Sequence, residues 1–127
     1  VIVLDASVLI AHLDGGDPHH RGAQSLLEAA GEEALGASAI TLAETLVSPA
    51  RAGRLGDAEA ALQRLGVSEL ELGDGTPGRL AKLRAEVGLK LPDCCVLLSA
   101  QEHSALVASF DSDLLTAARK LGLKTAG

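Results

Sequence analysis

The stretch Val1-Ile2-Val3-Leu4-Asp5-Ala6-Ser7 decides how the chain is read. Its first four residues are apolar, and three of them are β-branched, with none of the polar alternation of a half-solvated strand. A run of that kind is expected of a strand covered on both faces. It stops at a carboxylate. A second run, Ala105-Leu106-Val107-Ala108, stops the same way, in Ser109-Phe110-Asp111-Ser112-Asp113. Strands covered on both faces belong to parallel sheets, whose ligands gather beyond the strand C-termini, where strand order switches. If the two strands are neighbours, Asp5 and the Asp111–Asp113 pair meet at one crevice.

Outward from these runs, short β-like segments alternate with helical ones. A helix is expected over Ser7–Leu13. Asp17-Pro18 reads as N-cap and first-turn proline of a second helix, running to about Ala30. Leu35–Ser38 is a weak strand candidate, and Thr41–Ser48 is helical until Pro49 interrupts or ends it. Leu55-Gly56-Asp57 opens a helix that stops near Gly66, and Val67–Leu72 reads as a strand. Thr76-Pro77 opens a helix ending at Gly88, and Pro92 starts another that reaches about His103. Asp113–Leu121 is the last helix, with Gly122 as its C-cap, and Leu123–Thr125 is a candidate edge strand. Strands separated by helices predict the α/β class, a parallel sheet with helices on both faces.

The totals narrow the function. A length of 127 residues fits one domain, residues 1–127, and 47% hydrophobic with 22% charged residues is an ordinary globular composition. No apolar run approaches the roughly 20 residues needed to span a bilayer. The N-terminal residues carry no basic n-region or small-residue cleavage site, so a cytoplasmic protein is the expectation. Cys94 and Cys95 are adjacent; on a helix their side chains diverge by about 100°, which strains a disulfide, and no zinc-ligand spacing surrounds them. They read as buried small hydrophobes. A net charge of −6 argues against a passive nucleic-acid binder. With one Phe and no Trp or Tyr, stacking of bases on aromatic platforms is not expected either. Backbone charge and a metal would have to carry any contact with RNA or DNA.

Two further acids are oddly placed. At about 100° per residue, Glu44 shares a stripe with Ile40 and Val47 in the nearly all-apolar Ile40–Val47 segment, and no basic residue lies one turn away. By the same geometry Asp93 shares a stripe with Val96, Leu97 and Ala100. Both are therefore expected to face inward, where a carboxylate needs a partner. Each acid has a bland alternative: Asp93 complements a helix dipole, Asp5 bonds a helix N-terminus, and the Asp111–Asp113 pair caps the last helix. A shared metal site accounts for all of them together. Carboxylates without His or Cys suit hard ions, Mg²⁺ or Mn²⁺, and the chemistry such ions support is hydrolysis of a phosphodiester by an activated water.

The same residues carry a resemblance. VLDASVLIA at the N-terminus, the DPHH step, SAITLAETLVSPARAGR, LKLPDCCVLLSA and LVASFDSDLLTAARKLGL occur in the order and spacing of PIN-domain ribonucleases, and the chain most closely resembles the VapC-type toxins of bacterial toxin–antitoxin modules. The similarity spans essentially the whole chain. It implies a three-layer α/β/α fold with a twisted parallel sheet of four to five strands, and one or two Mg²⁺ or Mn²⁺ ions. Carried over by position, Asp5, Asp93 and Asp111 would bind metal, Glu44 would complete the catalytic set directly or through water, and Asp113 is the more variable fifth acid. Ser7 and Ser109 hold the small hydroxyl positions beside the site. Leu114 departs from the family, which often carries Phe after its last acid. The resemblance also implies an RNA substrate, a homodimer, and inhibition by a cognate antitoxin whose C-terminal segment lies in the active-site groove. Arg51 and Arg54 are the candidate phosphate contacts; His19 and His20 read as residues of a surface helix, with a supporting role near the groove as the alternative, and His12 and His103 as structural.

Competing readings fit less well. A haloacid-dehalogenase-type phosphatase needs a second Asp two residues after the first, and that position is Ser7. A receiver domain needs a Lys after a late strand, where this chain has Ser109–Asp113. A Toprim-type domain has a first-strand Glu and leaves Glu44 unexplained. A non-catalytic PIN-like interaction module is the alternative from another class, but such modules typically lose acids and here all five are present.

Overall fold

A computed structural model describes all of residues 1–127. Five strands, β1 (Ile2–Leu4), β2 (Leu35–Ser38), β3 (Val67–Leu70), β4 (Leu106–Ala108) and β5 (Thr125–Ala126), form one parallel sheet in the order β3-β2-β1-β4-β5. Seven helices connect them: α1 (Ala6–Leu13), α2 (His20–Ala30), α3 (Ala39–Arg51), α4 (Leu55–Leu65), α5 (Thr76–Val87), α6 (Leu91–Glu102) and α7 (Ser112–Lys120). None is long and apolar enough to cross a membrane.

The central strand explains the layers. Successive side chains of β1 point to opposite faces, so Val3 enters a core with α6 and α7 residues such as Val96, Leu97 and Leu114, together with Val107 of β4. Ile2 and Leu4 enter the other core, with Val8 and Leu9 of α1, Ala23 of α2 and Leu62 of α4. Both faces of β1 are thus dry, as its unbroken apolar run requires. The weak strand candidate is also real: a Cβ on Gly36 would lie 2.6 Å from the Leu70 side chain, so only glycine lets β3 fold its leucine over β2. The order in which strands are added reverses at β1, which pairs with β2 on one side and β4 on the other, all of them parallel. A crevice opens at such a point beyond the strand C-termini.

Several boundaries differ from the sequence reading. The second helix begins at His20 instead of Asp17, because Asp17 folds a local turn in which its Oδ1 accepts from the His19 N–H at 2.8 Å. Pro49 does not end α3: the helix runs on to Arg51, since a proline there removes a single backbone bond near the C-terminus. β5 starts at Thr125, about two residues late, where Thr125 pairs with Val107 and Ala126 with Ala108.

The inward orientation expected of Glu44 is wrong. α3 buries Thr41 and Thr45 and leaves Ile40 and Val47 exposed at 45% and 44%, with Glu44 exposed between them. Hydrophobicity misled here because the threonines are internally satisfied. Thr45 Oγ1 donates to the Thr41 carbonyl at 2.9 Å, and Ser38, the α3 N-cap, accepts from the Thr41 N–H. Neutral hydroxyls with partners are inexpensive to bury.

Candidate functional site

Asp5 stands first at the crevice. Its N–H donates to the Ala108 carbonyl at 2.9 Å, and Leu4 is in register with Ala108, so Asp5 and Ser109 leave neighbouring strands side by side. The Asp5 side chain is buried, and two hydroxyls hold it: Ser109 Oγ donates to Oδ2 at 2.7 Å and Ser7 Oγ to the same oxygen at 2.8 Å. Its other oxygen, Oδ1, receives no side-chain donor. Each hydroxyl also accepts, Ser7 from the Phe110 N–H at 3.0 Å and Ser109 from the Asp111 N–H at 2.9 Å. The loop after β4 is thereby bolted to the loop after β1.

Asp111 is the N-cap of α7, its Oδ1 accepting from the Asp113 and Leu114 N–H groups. Asp93 sits half-buried in the first turn of α6, and Glu44 on the outer face of α3. Burial pushes the Asp93 carboxyl up to about 6, and the nearby charges of Asp5, Asp111 and Glu44 add to this while Lys90 opposes it. The Glu44 carboxyl is raised as well, by partial desolvation first and by Asp5 second, again against Lys90. Four acids from four loops and helices therefore share one field. None of them is in an ion pair.

Asp113, the fifth acid, is not among the charges acting on Asp93 or Glu44. It lines a separate hollow with Glu86 and Lys120, between α5 and α7. Arg51 is exposed at the end of α3. Arg54 is exposed too, 3.5 Å from Asp57, and lines a groove of about 470 Å³ whose walls include Ile10, Glu44, Pro49 and Arg64. Lys90 was missed. It lies just three residues before Asp93, in Lys90-Leu91-Pro92-Asp93, so the positive charge that tempers Asp93 and Glu44 without pairing with either was legible in the spacing. Cys94 and Cys95 are free and buried, their thiols pushed up chiefly by burial, which suits small core residues.

As they stand, no three His, Cys, Asp or Glu side chains form a ready-made metal cage. The donor set nonetheless fits a hard cation. The four coupled acids offer only oxygen, Asp5 keeps Oδ1 without a side-chain donor, and Mg²⁺ is typically held by one or two carboxylates while retaining waters.

The PIN-domain family model matches residues 2–120. The chain belongs to the PIN-domain family. This PIN domain is similar in structure to a toxin–antitoxin complex from Klebsiella pneumoniae, with a TM-score of 0.75 at 26% identity over 91% of this chain and 90% of that one. It also resembles VapC20 of Mycobacterium tuberculosis, described as a Sarcin–Ricin loop cleaving toxin, with a TM-score of 0.71 at 20% identity over 92% and 95%. A third likeness is VapBC2 of Rickettsia felis bound to a DNA fragment from its promoter, with a TM-score of 0.74 at 13% identity over 98% and 96%. Among curated proteins, none matches the chain significantly. The three-layer fold and the family expected from the motifs are thus both found.

Proposed function

We propose that this PIN domain is a Mg²⁺- or Mn²⁺-dependent endoribonuclease, the toxin of a toxin–antitoxin pair. One observation carries the reading: Asp5, Glu44, Asp93 and Asp111 are brought into one electrostatic field at the sheet's switch point with no ion pair to neutralise them. Clustered carboxylates repel, and they persist where a cation or a proton intervenes. Asp5, Asp93 and Asp111 hold the ion, with Glu44 reaching it directly or through water. Bound there, a divalent cation lowers the pKa of water and offsets the charge that builds on phosphoryl oxygens.

The rest of the work belongs to the chain's own groups. Ser7 and Ser109 fix the Asp5 carboxylate by bonding a single oxygen, so its second oxygen is aimed without freedom to rotate. The Asp93 carboxyl, pushed up to about 6 by burial and the neighbouring acids, would be relieved by a cation held beside it. Asp113, the more variable fifth acid, stands apart from these four in its own hollow. Arg54, which lines the Glu44 groove, and Arg51, exposed at the end of α3, contact the RNA backbone.

The partner side of the proposal has its own support. Ile10, Ile40, Val47, Leu55 and Leu91 are all exposed. Large apolar side chains left in water suit a protein surface that is covered in its working state, and Ile10 among them lines the Glu44 groove. An antitoxin segment and a second copy of the chain are the occupants proposed here, in line with the toxin–antitoxin assembly similar to this chain.

The deciding experiment maps cleavage sites on total cellular RNA with and without Mn²⁺, against an Asp93→Asn control. Discrete, metal-dependent cuts that vanish in the Asp93→Asn protein are expected. Equal cutting by that variant would sink the site assignment. An intact RNA profile with every metal tried would leave a non-catalytic interaction module as the better reading.

A further inference from the structure

Phe110 is the only aromatic among Phe, Trp and Tyr in the chain, and it lies between Ser109, which holds Asp5, and Asp111. Its ring is stacked on the imidazole of His19, with centroids 4.7 Å apart and planes 9° from parallel. Phe110 is the inner member, half-buried and packed on the core beneath α1 and α2. Gly22 of α2 lies against its edge, where even a Cβ would stand at an ordinary contact distance of 3.4 Å from the ring. His19 is the outer member, and it is exposed.

Both rings are held from the backbone. The Phe110 N–H donates to Ser7 Oγ at 3.0 Å, the same hydroxyl that bonds Asp5. The His19 N–H donates to Asp17 Oδ1 at 2.8 Å, and the next residue anchors the turn through His20 Nδ1, 2.6 Å from the Ala11 carbonyl oxygen. The imidazole is therefore a flat surface backed by Phe110 and exposed to solvent, and Phe110 is the immediate neighbour of Asp111 in the chain. Single-stranded RNA is commonly gripped by such surfaces, histidine included, because every base has a π-face. A contact of this kind needs no positive charge, which matters in a chain of net charge −6.

We propose that the His19–Phe110 pair is a stacking platform for one nucleobase of a single-stranded RNA, next to the bond that is cut. This rests on the nuclease reading above. It reverses the expectation drawn from the scarcity of aromatics, since one Phe backed onto one His makes the platform that neither makes alone.

The test uses the metal-loaded protein and a single-stranded oligoribonucleotide that it cleaves. His19→Ala is expected to raise KM roughly 5- to 30-fold, within the range found when a stacked base loses its partner. Its melting temperature and its melting shift with Mg²⁺ should stay at wild-type values. His19→Phe should restore KM to within about twofold. His19→Trp places a single Trp in a chain that has none, and its emission should be quenched on adding the oligonucleotide with Ca²⁺ in place of Mg²⁺. Wild-type KM in His19→Ala overturns the platform, as does His19→Phe behaving like His19→Ala, or His19→Trp emission that ignores the RNA. A lowered melting point that accounts for the His19→Ala defect makes the pair a structural clamp and equally overturns it. If the wild type cuts the oligonucleotide and Asp93→Asn does not while His19→Ala is unimpaired, the platform falls and the nuclease reading stands. If Asp93→Asn cuts like wild type, both fall.

Discussion

Asp111 has two jobs that a single substitution can separate. Its side chain caps α7, and its charge adds to the field at Asp93. Asn caps a helix about as well as Asp, whereas Ala forfeits about 1 kcal/mol. Asp111→Asn should therefore keep wild-type stability in urea and lose the response to Mg²⁺, while Asp111→Ala loses both. Ser109 is fully buried and holds Asp5 and the Asp111 N–H together. Removing its hydroxyl takes the partner from the Asp111 N–H and leaves Asp5 Oδ2 with Ser7 alone, so Ser109→Ala should cost about 1–3 kcal/mol in the same measurement. Asp93 gives a pH signature in the metal-free protein. Burial and the neighbouring acids push its folded-state carboxyl up to about 6 from an ordinary 3.8, so above 6 the folded chain carries a charge it disfavours. As pH falls from 6 toward 4 the folded state takes up a proton that the unfolded state does not, and this contribution raises stability. Discounted for solvent screening at a half-buried site, the difference from Asp93→Asn should be roughly 1–2 kcal/mol, present above pH 6 and gone by pH 4. A flat difference curve from parallel denaturation series would refute it.

At the scale of elements, the chain shows what periodicity can and cannot carry. Helices with an ordinary apolar stripe were placed to within a residue or two, and so were the dry strands β1 and β4. α3 was placed but turned the wrong way, because apolarity was read as burial while Thr41 and Thr45 lie beneath. Its outward face is the one that bears Glu44, so the acid joins the site from the rim and not from the core. β2 was the weakest candidate, and its reason for existing is a packing fact: Leu70 occupies the space a side chain at position 36 would need. Gly36→Val should thus overpack the β2–β3 edge and lower stability by about 1–3 kcal/mol. Thermal melts with and without Leu70→Ala check it, since shortening that leucine should recover part of the loss.

For the whole molecule, the proposed ion is a stability term as much as a catalytic one. A cation that binds the folded chain alone adds about 2.7 kcal/mol at 100 times its Kd, and Mg²⁺ or Mn²⁺ should raise the melting temperature accordingly. Asp5→Asn should abolish both cleavage and that shift while its metal-free form melts no lower than the wild type. No shift with either ion would sink the metal claim. The parallel order β3-β2-β1-β4-β5 is what makes this coupling possible, since it sets loops distant in sequence around one crevice.

The sequence by itself determined the α/β class, written in unbroken apolar runs and helical stripes, and the family, written in short motifs whose order and spacing match it. It did not determine which acids share a field. Asp93 feels Asp5, Asp111 and Glu44 but not Asp113, although Asp113 is two residues from Asp111. The α7 cap explains this, since Asp111 faces the crevice from the N-cap while Asp113 lies in the first turn, toward Glu86 and Lys120. Nor could it pair His19 with Phe110, ninety-one positions apart by their numbers, or turn Glu44 to the rim. Those outcomes depend on through-space distance and on which face of a helix finds a partner. Only the packed sheet fixes both.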